Sequence, residues 1–300
     1  MTSVRLFWCR HVYNHRDYLR RVGFEGRDVV GQFCHLAMKN NYINWMIADP
    51  NTNVLTHLFL AHPDSLNLLR TYPWFIGMDS TYKTNRYKMP FLEITGMTPC
   101  NNNFMVAYAF MKDETEGSYR WVLQRLRLLV GDAVQPTVIV TDRELGLMRP
   151  ISDIFPETQH LLCTWHINKD VEDRAYKLFR KNKQMAARFT QGIWRRVMEA
   201  PTEQEYADAV MYLGERMRCY PRVVSYVTDT WLVHKQKFVR AWTNNALHLG
   251  NTTTCRVESA HAVLKQWLNS STGALDTVWT KVYKEIESQL TQIRYVVNQQ

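Results

Sequence analysis

The chain has 300 residues, 46% of them hydrophobic, and carries 37 Lys and Arg against 28 Asp and Glu for a net charge of +9. That length supports one elaborated domain with a sizeable core, and the basic balance favours a polyanionic partner, nucleic acid foremost, without bearing on the fold. No run approaches the roughly 18 apolar residues of a membrane span, the start MTSVRLFWCRH has no apolar signal segment, and six scattered Cys lack the density of a secreted disulfide scaffold, so a soluble intracellular protein without a membrane partner is expected.

Residues 1–41 form a basic region without assignment, apart from helical spacing over Arg27 to Lys39. Tyr42 to Leu60 reads as a hairpin around the turn-rich DPNTN, and a short helix should begin near His62 with Asp64 in its first turn. Trp74 to Asn85, MPFLEITGMT and NFMVAYAFM are partly alternating apolar runs that predict a three-stranded antiparallel meander. Glu116 to Val130 has the apolar stripe of a helix lying on a sheet. After it, TVIVTD is almost wholly apolar, as a strand buried on both faces should be, and a parallel crossover pairing with the first strand of the meander follows. QHLLC predicts a last strand leading to a helix over Asn168 to Arg180. Between Arg174 and Asn245 strand patterns disappear and 14 Lys and Arg stand against 6 Asp and Glu, a surplus of +8, which predicts a basic helical insertion. Val278 to Gln300 reads as a final helix.

Asp is depleted in strand interiors because its side chain competes for backbone hydrogen bonds, so Asp79 in WFIGMDSTYKTN needs a reason. One reason is local, satisfaction by the hydroxyls of Ser80 or Thr81. Asp142 ends the apolar run TVIVTD, where Thr141-Asp142-Arg143-Glu144 also fits a capping box for the next helix. Glu258 lies at the edge of the stripe Val257, Ala260, Leu264, Trp267, Leu268, where a solvated carboxylate is the plainer reading. The other reading is that two strand carboxylates and one helix carboxylate converge on divalent metal.

GMDSTYKTN, VTDREL, LLCTWHINKD and RVESAHAVLKQWL, in that order, resemble the catalytic domain of Mutator-like element (MULE) transposases, a branch of the DDE transposases, over residues 42–268. The resemblance implies a ribonuclease-H-like α/β fold, a mixed sheet with flanking helices and the helical insertion of about 174–245 before the last catalytic helix, followed by a C-terminal helical segment over 269–300. It also implies a catalytic and metal-binding triad at Asp79, Asp142 and Glu258, with spacings of 63 and 116 residues. Carboxylates that share a site raise one another's pKa, and a pair of Mg²⁺ or Mn²⁺ ions roughly 4 Å apart removes that cost and supports in-line attack on a phosphodiester. The activity implied is metal-dependent strand cleavage and strand transfer on transposon-end and target DNA, by a homo-oligomer in the nucleus. Relatives in that family usually carry an N-terminal zinc-dependent module and a C-terminal C-x-C…C-x-H finger; neither pattern occurs here, so the sequence reads as a catalytic core, a truncated copy or a fragment. It resembles the far-red impaired response family as well, whose domesticated transposases act as DNA-binding transcriptional regulators.

Cys163 and His166 form a C-x-x-H pair that reads first as a buried structural Cys beside a His at a helix start. A structural zinc site takes four ligands, and His160, His234, His248 and Cys255 are completers among which the sequence does not choose. Lys181, Lys183, Arg195 and Arg196 are the candidate phosphate contacts of the insertion. Phe179, Phe189, Trp194 and the Trp231 to Phe238 stretch interleave with such cations, as base stacking beside backbone contact would require. Trp165 is expected to pack on the core or to sit near DNA.

Overall fold

A computed structural model describes Tyr18, residues 22–81, 84–245, 253–254 and 275–297. α1 (Val29–Lys39) has Asp28 as its cap, which accepts from the Gly31 N–H at 2.6 Å. The predicted hairpin is β1 (Ile43–Ala48) and β2 (Leu55–Ala61), and its turn is closed by the Asp49 carboxylate, which accepts from the Asn51 and Thr52 amides at 3.0 and 2.9 Å. His62 caps α2 (Pro63–Thr71) through its Nδ1, with Asp64 in the first turn. β3 (Phe75–Thr81), β4 (Phe91–Met97) and β5 (Asn103–Phe110) form the antiparallel meander. Then come α3 (Glu116–Val130), β6 (Val138–Thr141), α4 (Leu145–Ile154) and β7 (Gln159–Leu162).

These strands make one mixed sheet of seven in the order β1-β2-β5-β4-β3-β6-β7. β6 pairs parallel with both β3 and β7 because α3 and α4 return the chain to the same edge, the crossover that the almost wholly apolar β6 called for. Alternation divides the sheet into two buried faces. Ile76, Met78, Leu92, Ile94, Val106 and Ile139 face α2, α3 and α4. On the other side Leu58, Leu60, Phe91, Tyr108 and Phe110 meet Phe33 and Ala37 of α1 and the last helix, α11 (Leu275–Val297). Phe75, Val138, Val140, Leu161 and Cys163 form a smaller apolar group on that second side, under the end of the sheet where β3, β6 and β7 lie.

The segment predicted as an insertion is helical throughout. It runs α5 (Thr164–Leu178), α6 (Lys183–Arg188), a π-helix (Phe189–Trp194), α7 (Arg195–Met198), α8 (Glu203–Arg216), α9 (Pro221–Thr230), a 3-10 segment (Leu232–Lys237) and α10 (Arg240–Thr243). It has a core of its own, in which Ile167, Val171 and Ala175 of α5 pack with Phe189, Trp194, Val227 and Trp231. α5 begins at Thr164, not near Asn168 as the sequence suggests, so Cys163 is its N-cap and His166 lies in its first turn. No described helix is long and apolar enough to cross a membrane.

Candidate active site

β3 and β6 pair with a constant offset of 63 residues, Phe75 with Val138, Ile76 with Ile139 and Gly77 with Val140. Asp79 and Asp142 are separated by the same 63 residues. Carried two residues beyond the last pair, the register brings the two carboxylates level on adjacent strands, whose spacing is about 4.8 Å. Alternation also sets their side. Phe75 on β3, with Val138 and Val140 on β6, belongs to the second face, and Asp79 and Asp142 follow these residues at even spacing, so both project there. Ser80 points the other way and its Oγ meets the Tyr119 hydroxyl of α3 at 3.1 Å, so it is no local partner for Asp79.

Asp79 is 8% exposed and lies opposite the fully buried Glu93 of β4. Asp142 is half-buried where the chain leaves β6. Burial pushes its carboxyl up to about 7, helped by the charge of Asp79 and then by Glu144, Glu114 and Asp170. The capping box expected at Thr141 does not form. Thr141 is still within β6, paired with Leu162, and the N-cap of α4 is Glu144, whose side chain accepts from the Gly146 N–H at 3.3 Å. Gly146 is required there, because a Cβ would sit 2.6 Å from the Glu114 carbonyl oxygen. That close approach brings the Glu114 turn beside Asp142, an acidic neighbour that no local pattern in the sequence announces.

Two carboxylates on one side of a sheet, one of them raised by burial and by the other's charge, are an oxygen donor set that fits hard divalent cations of the Mg²⁺ type. Among the described residues no three of His, Cys, Asp and Glu converge closely enough to hold a metal ion. Glu258, the third member expected, lies outside the described residues, as do His248 and Cys255.

Cys163 and His166 converge on Thr254, whose amide and hydroxyl both donate to the Cys163 Sγ at 3.2 Å and whose hydroxyl lies 3.3 Å from His166 Nδ1. The pair therefore ties the start of α5 to residue 254. His160 points elsewhere, at Thr141 and Lys237, which removes it as a completer of a zinc set. Trp165 is 41% exposed, edge-on to His166 and under the Lys169 ammonium at 4.9 Å.

Lys181, Lys183, Arg195 and Arg196 are all exposed. Arg195 pairs with Glu199 at 2.8 Å, and Arg196 lies 4.9 Å over the Tyr212 ring. The aromatics expected to interleave with these cations as stacking platforms are not at the surface: Phe179, Phe189, Trp194, Trp231 and Phe238 are 4% exposed or less. They build the core of the helical segment. Trp194 and Trp231 also have their indole N–H groups bonded to Asn168 and Tyr226.

Residues 75–170, from β3 into α5, match the family model described as the MULE transposase domain, which covers about a third of the chain. The protein FAR1-RELATED SEQUENCE 5 of Arabidopsis thaliana is 23% identical over 235 residues, 78% of this chain and 29% of that protein. FAR-RED IMPAIRED RESPONSE 1 of the same plant is 22% identical over 220 residues, 72% of this chain and 25% of its own length. A PKS-NRPS hybrid synthetase, cheA of Chaetomium globosum, is 22% identical over 93% of this chain but only 7% of itself, so the activity in its name is not carried over. The chain spans less than a third of the length of these relatives.

Proposed function

We propose that this chain is the catalytic core of a Mutator-like DDE transposase with a ribonuclease-H-like fold, acting on transposon-end and target DNA in the nucleus. One observation carries the reading: Asp79 and Asp142 share the 63-residue offset of the β3–β6 register and the same side of the sheet, with the Asp142 carboxyl pushed up to about 7. Asp79 and Asp142 would hold two Mg²⁺ or Mn²⁺ ions, with Glu258 as the third ligand that the resemblance supplies. When bound, such ions activate an attacking hydroxyl and stabilise the leaving oxygen of a phosphodiester. The protein's own part is to hold the two carboxylates level on one side of the sheet, and to carry the DNA backbone on exposed cations such as Lys181, Lys183, Arg195 and Arg196. Assembly as a homo-oligomer on paired DNA ends belongs to the same reading.

The test is incubation of the protein with transposon-end DNA and Mg²⁺ or Mn²⁺. Nicked and then joined products are expected, falling by several orders of magnitude in Asp79→Asn, Asp142→Asn and Glu258→Gln, while DNA binding persists in all three. The similarity to far-red impaired response proteins over 78% and 72% of this chain favours one second reading, a domesticated DNA-binding regulator. DNA bound without cleavage under every divalent cation would decide for it. Nicked DNA that is never joined would instead indicate a metal nuclease.

A further inference from the structure

The segment Trp231 to Lys237 of the insertion reaches back to the sheet at the residues flanking Asp142. On one side the Arg143 guanidinium lies 5.3 Å over the Trp231 ring. On the other, Lys237 Nζ is 3.3 Å from His160 Nδ1, His160 Nε2 is 2.8 Å from Thr141 Oγ1, and Thr141 Oγ1 donates to the Asp142 carbonyl oxygen at 2.6 Å. Only one arrangement of protons satisfies this chain. An ammonium can only donate, so His160 Nδ1 accepts; a neutral imidazole then carries its proton on Nε2, which donates to Thr141 Oγ1, leaving the Thr141 hydroxyl proton for the Asp142 carbonyl. His160 is 5% exposed, and burial with the Lys237 charge holds its imidazole at about 3, so the neutral form is the one present near neutral pH.

The strand register alone does not explain this series. β6 and β7 are already paired through Thr141 and Leu162, and His160 would serve packing as well with an apolar ring. What the relay adds is a defined acceptor bond at the backbone of the residue that carries the site carboxylate, driven from a lysine 95 residues further along the chain. Polar groups behind a metal ligand set its orientation, and losing one typically costs about 10- to 100-fold in metal affinity.

We infer that Lys237 is a positioning residue, which through His160 and Thr141 holds the Asp142 backbone so that the helical insertion sets the geometry of the carboxylate site. The inference rests on the reading of Asp142 as a metal ligand, and its test separates the two. The full chain, freed of metal, is titrated with Mn²⁺ while the rise in melting temperature is followed, in wild type, Lys237→Met, Thr141→Val and Thr141→Ser. In parallel, ¹⁵N-histidine spectra of the metal-free wild type report the His160 tautomer. Lys237→Met and Thr141→Val should shift the Mn²⁺ midpoint about tenfold upward, whereas Thr141→Ser, which keeps the hydroxyl, should stay within about twofold of wild type. His160 should carry its proton on Nε2. Unmoved midpoints in folded Lys237→Met and Thr141→Val would overturn the inference, and so would a proton on Nδ1. If Lys237→Met does not fold, the Val and Ser variants of Thr141 carry the comparison. A wild type with no response to Mn²⁺ sinks the carboxylate reading instead, and the relay is then decided by the tautomer alone.

Discussion

Asp142 and His160 are shifted in opposite directions, and their effects on stability oppose each other over nearly the same pH range. The folded Asp142 carboxyl titrates at about 7 against an ordinary 3.8, so from pH 4 to 7 the native state keeps a proton that the unfolded chain has lost, and stability falls as pH rises. Folded His160 titrates at about 3 against 6.5, so over that span the unfolded chain holds the extra proton, and stability rises with pH. In metal-free protein the two slopes offset each other. Each substitution should therefore unmask the other: relative to wild type, Asp142→Asn gains stability as pH rises from 4 to 7, and His160→Gln gains on acidification below 6.5, each by on the order of a few kcal/mol. Urea unfolding at pH 4, 5.5 and 7 in the presence of a chelator measures both, and variant curves running parallel to wild type would contradict both assignments. Asp79 and Asp142 were legible in the sequence because a carboxylate at the end of an apolar strand is chemically out of place. His160 was legible only as a metal-binding residue type, because its partners Thr141 and Lys237 are set by strand pairing and by the fold of the insertion. The capping box at Thr141 was a false lead for a related reason. Pairing with Leu162 keeps Thr141 in the strand and moves the cap to Glu144.

Among the elements, those with one strong periodicity were readable to within a few residues, as the stripe of Glu116 to Val130 and the alternation of the meander illustrate. The segment 174–245 was readable as helical and basic, but not in which way its aromatics turn. An aromatic at helical spacing looks the same in sequence whether it faces a core or a groove, and here Phe189, Trp194 and Trp231 face the core. Packing and DNA contact should consequently separate on mutation. Trp194→Ala, which removes a fully buried indole and its bond to Asn168, should cost about 3–5 kcal/mol of stability and leave the salt dependence of DNA binding unchanged. Replacing Arg195 and Arg196 together should do the reverse. The pair to Glu199 is a surface ion pair worth at most about 1 kcal/mol, so little stability is lost, while the log–log salt slope for non-specific duplex should become shallower by about two, at about 0.9 per phosphate contact. A slope moved by Trp194→Ala but not by the arginines would put the DNA path on the aromatics after all.

At the scale of the whole molecule, the last helix closes the sheet on the side opposite α3 and α4, and it reaches a defect in the ladder. β4 and β5 slip register after Ile94, which pairs with Ala107 while Thr95 pairs with Met105, so Val106 is an inserted residue. A bulge of this kind takes a backbone amide out of the regular ladder. The Met105 N–H is instead accepted by the Gln289 Oε1 of α11 at 3.0 Å, a partner 184 residues away. The helix could be read from its own pattern, but not this docking, since nothing local to either segment names the other. Phe33 and Tyr42 complete the closure by packing edge-on against Trp279, with ring centroids 5.3 and 4.4 Å apart. Gln289→Leu keeps the apolar bulk and removes the acceptor, leaving a buried amide without this partner, so stability should drop by about 1–3 kcal/mol. Hydrogen exchange at the Met105 amide should accelerate, because the lost bond lies there. The rise in melting temperature with Mn²⁺ should be preserved, since the Gln289 bond is made to β5, which β4 separates from the Asp79 strand. Loss of the Mn²⁺ response in a folded Gln289→Leu protein would mean that the last helix, and not only the insertion, governs the carboxylate site.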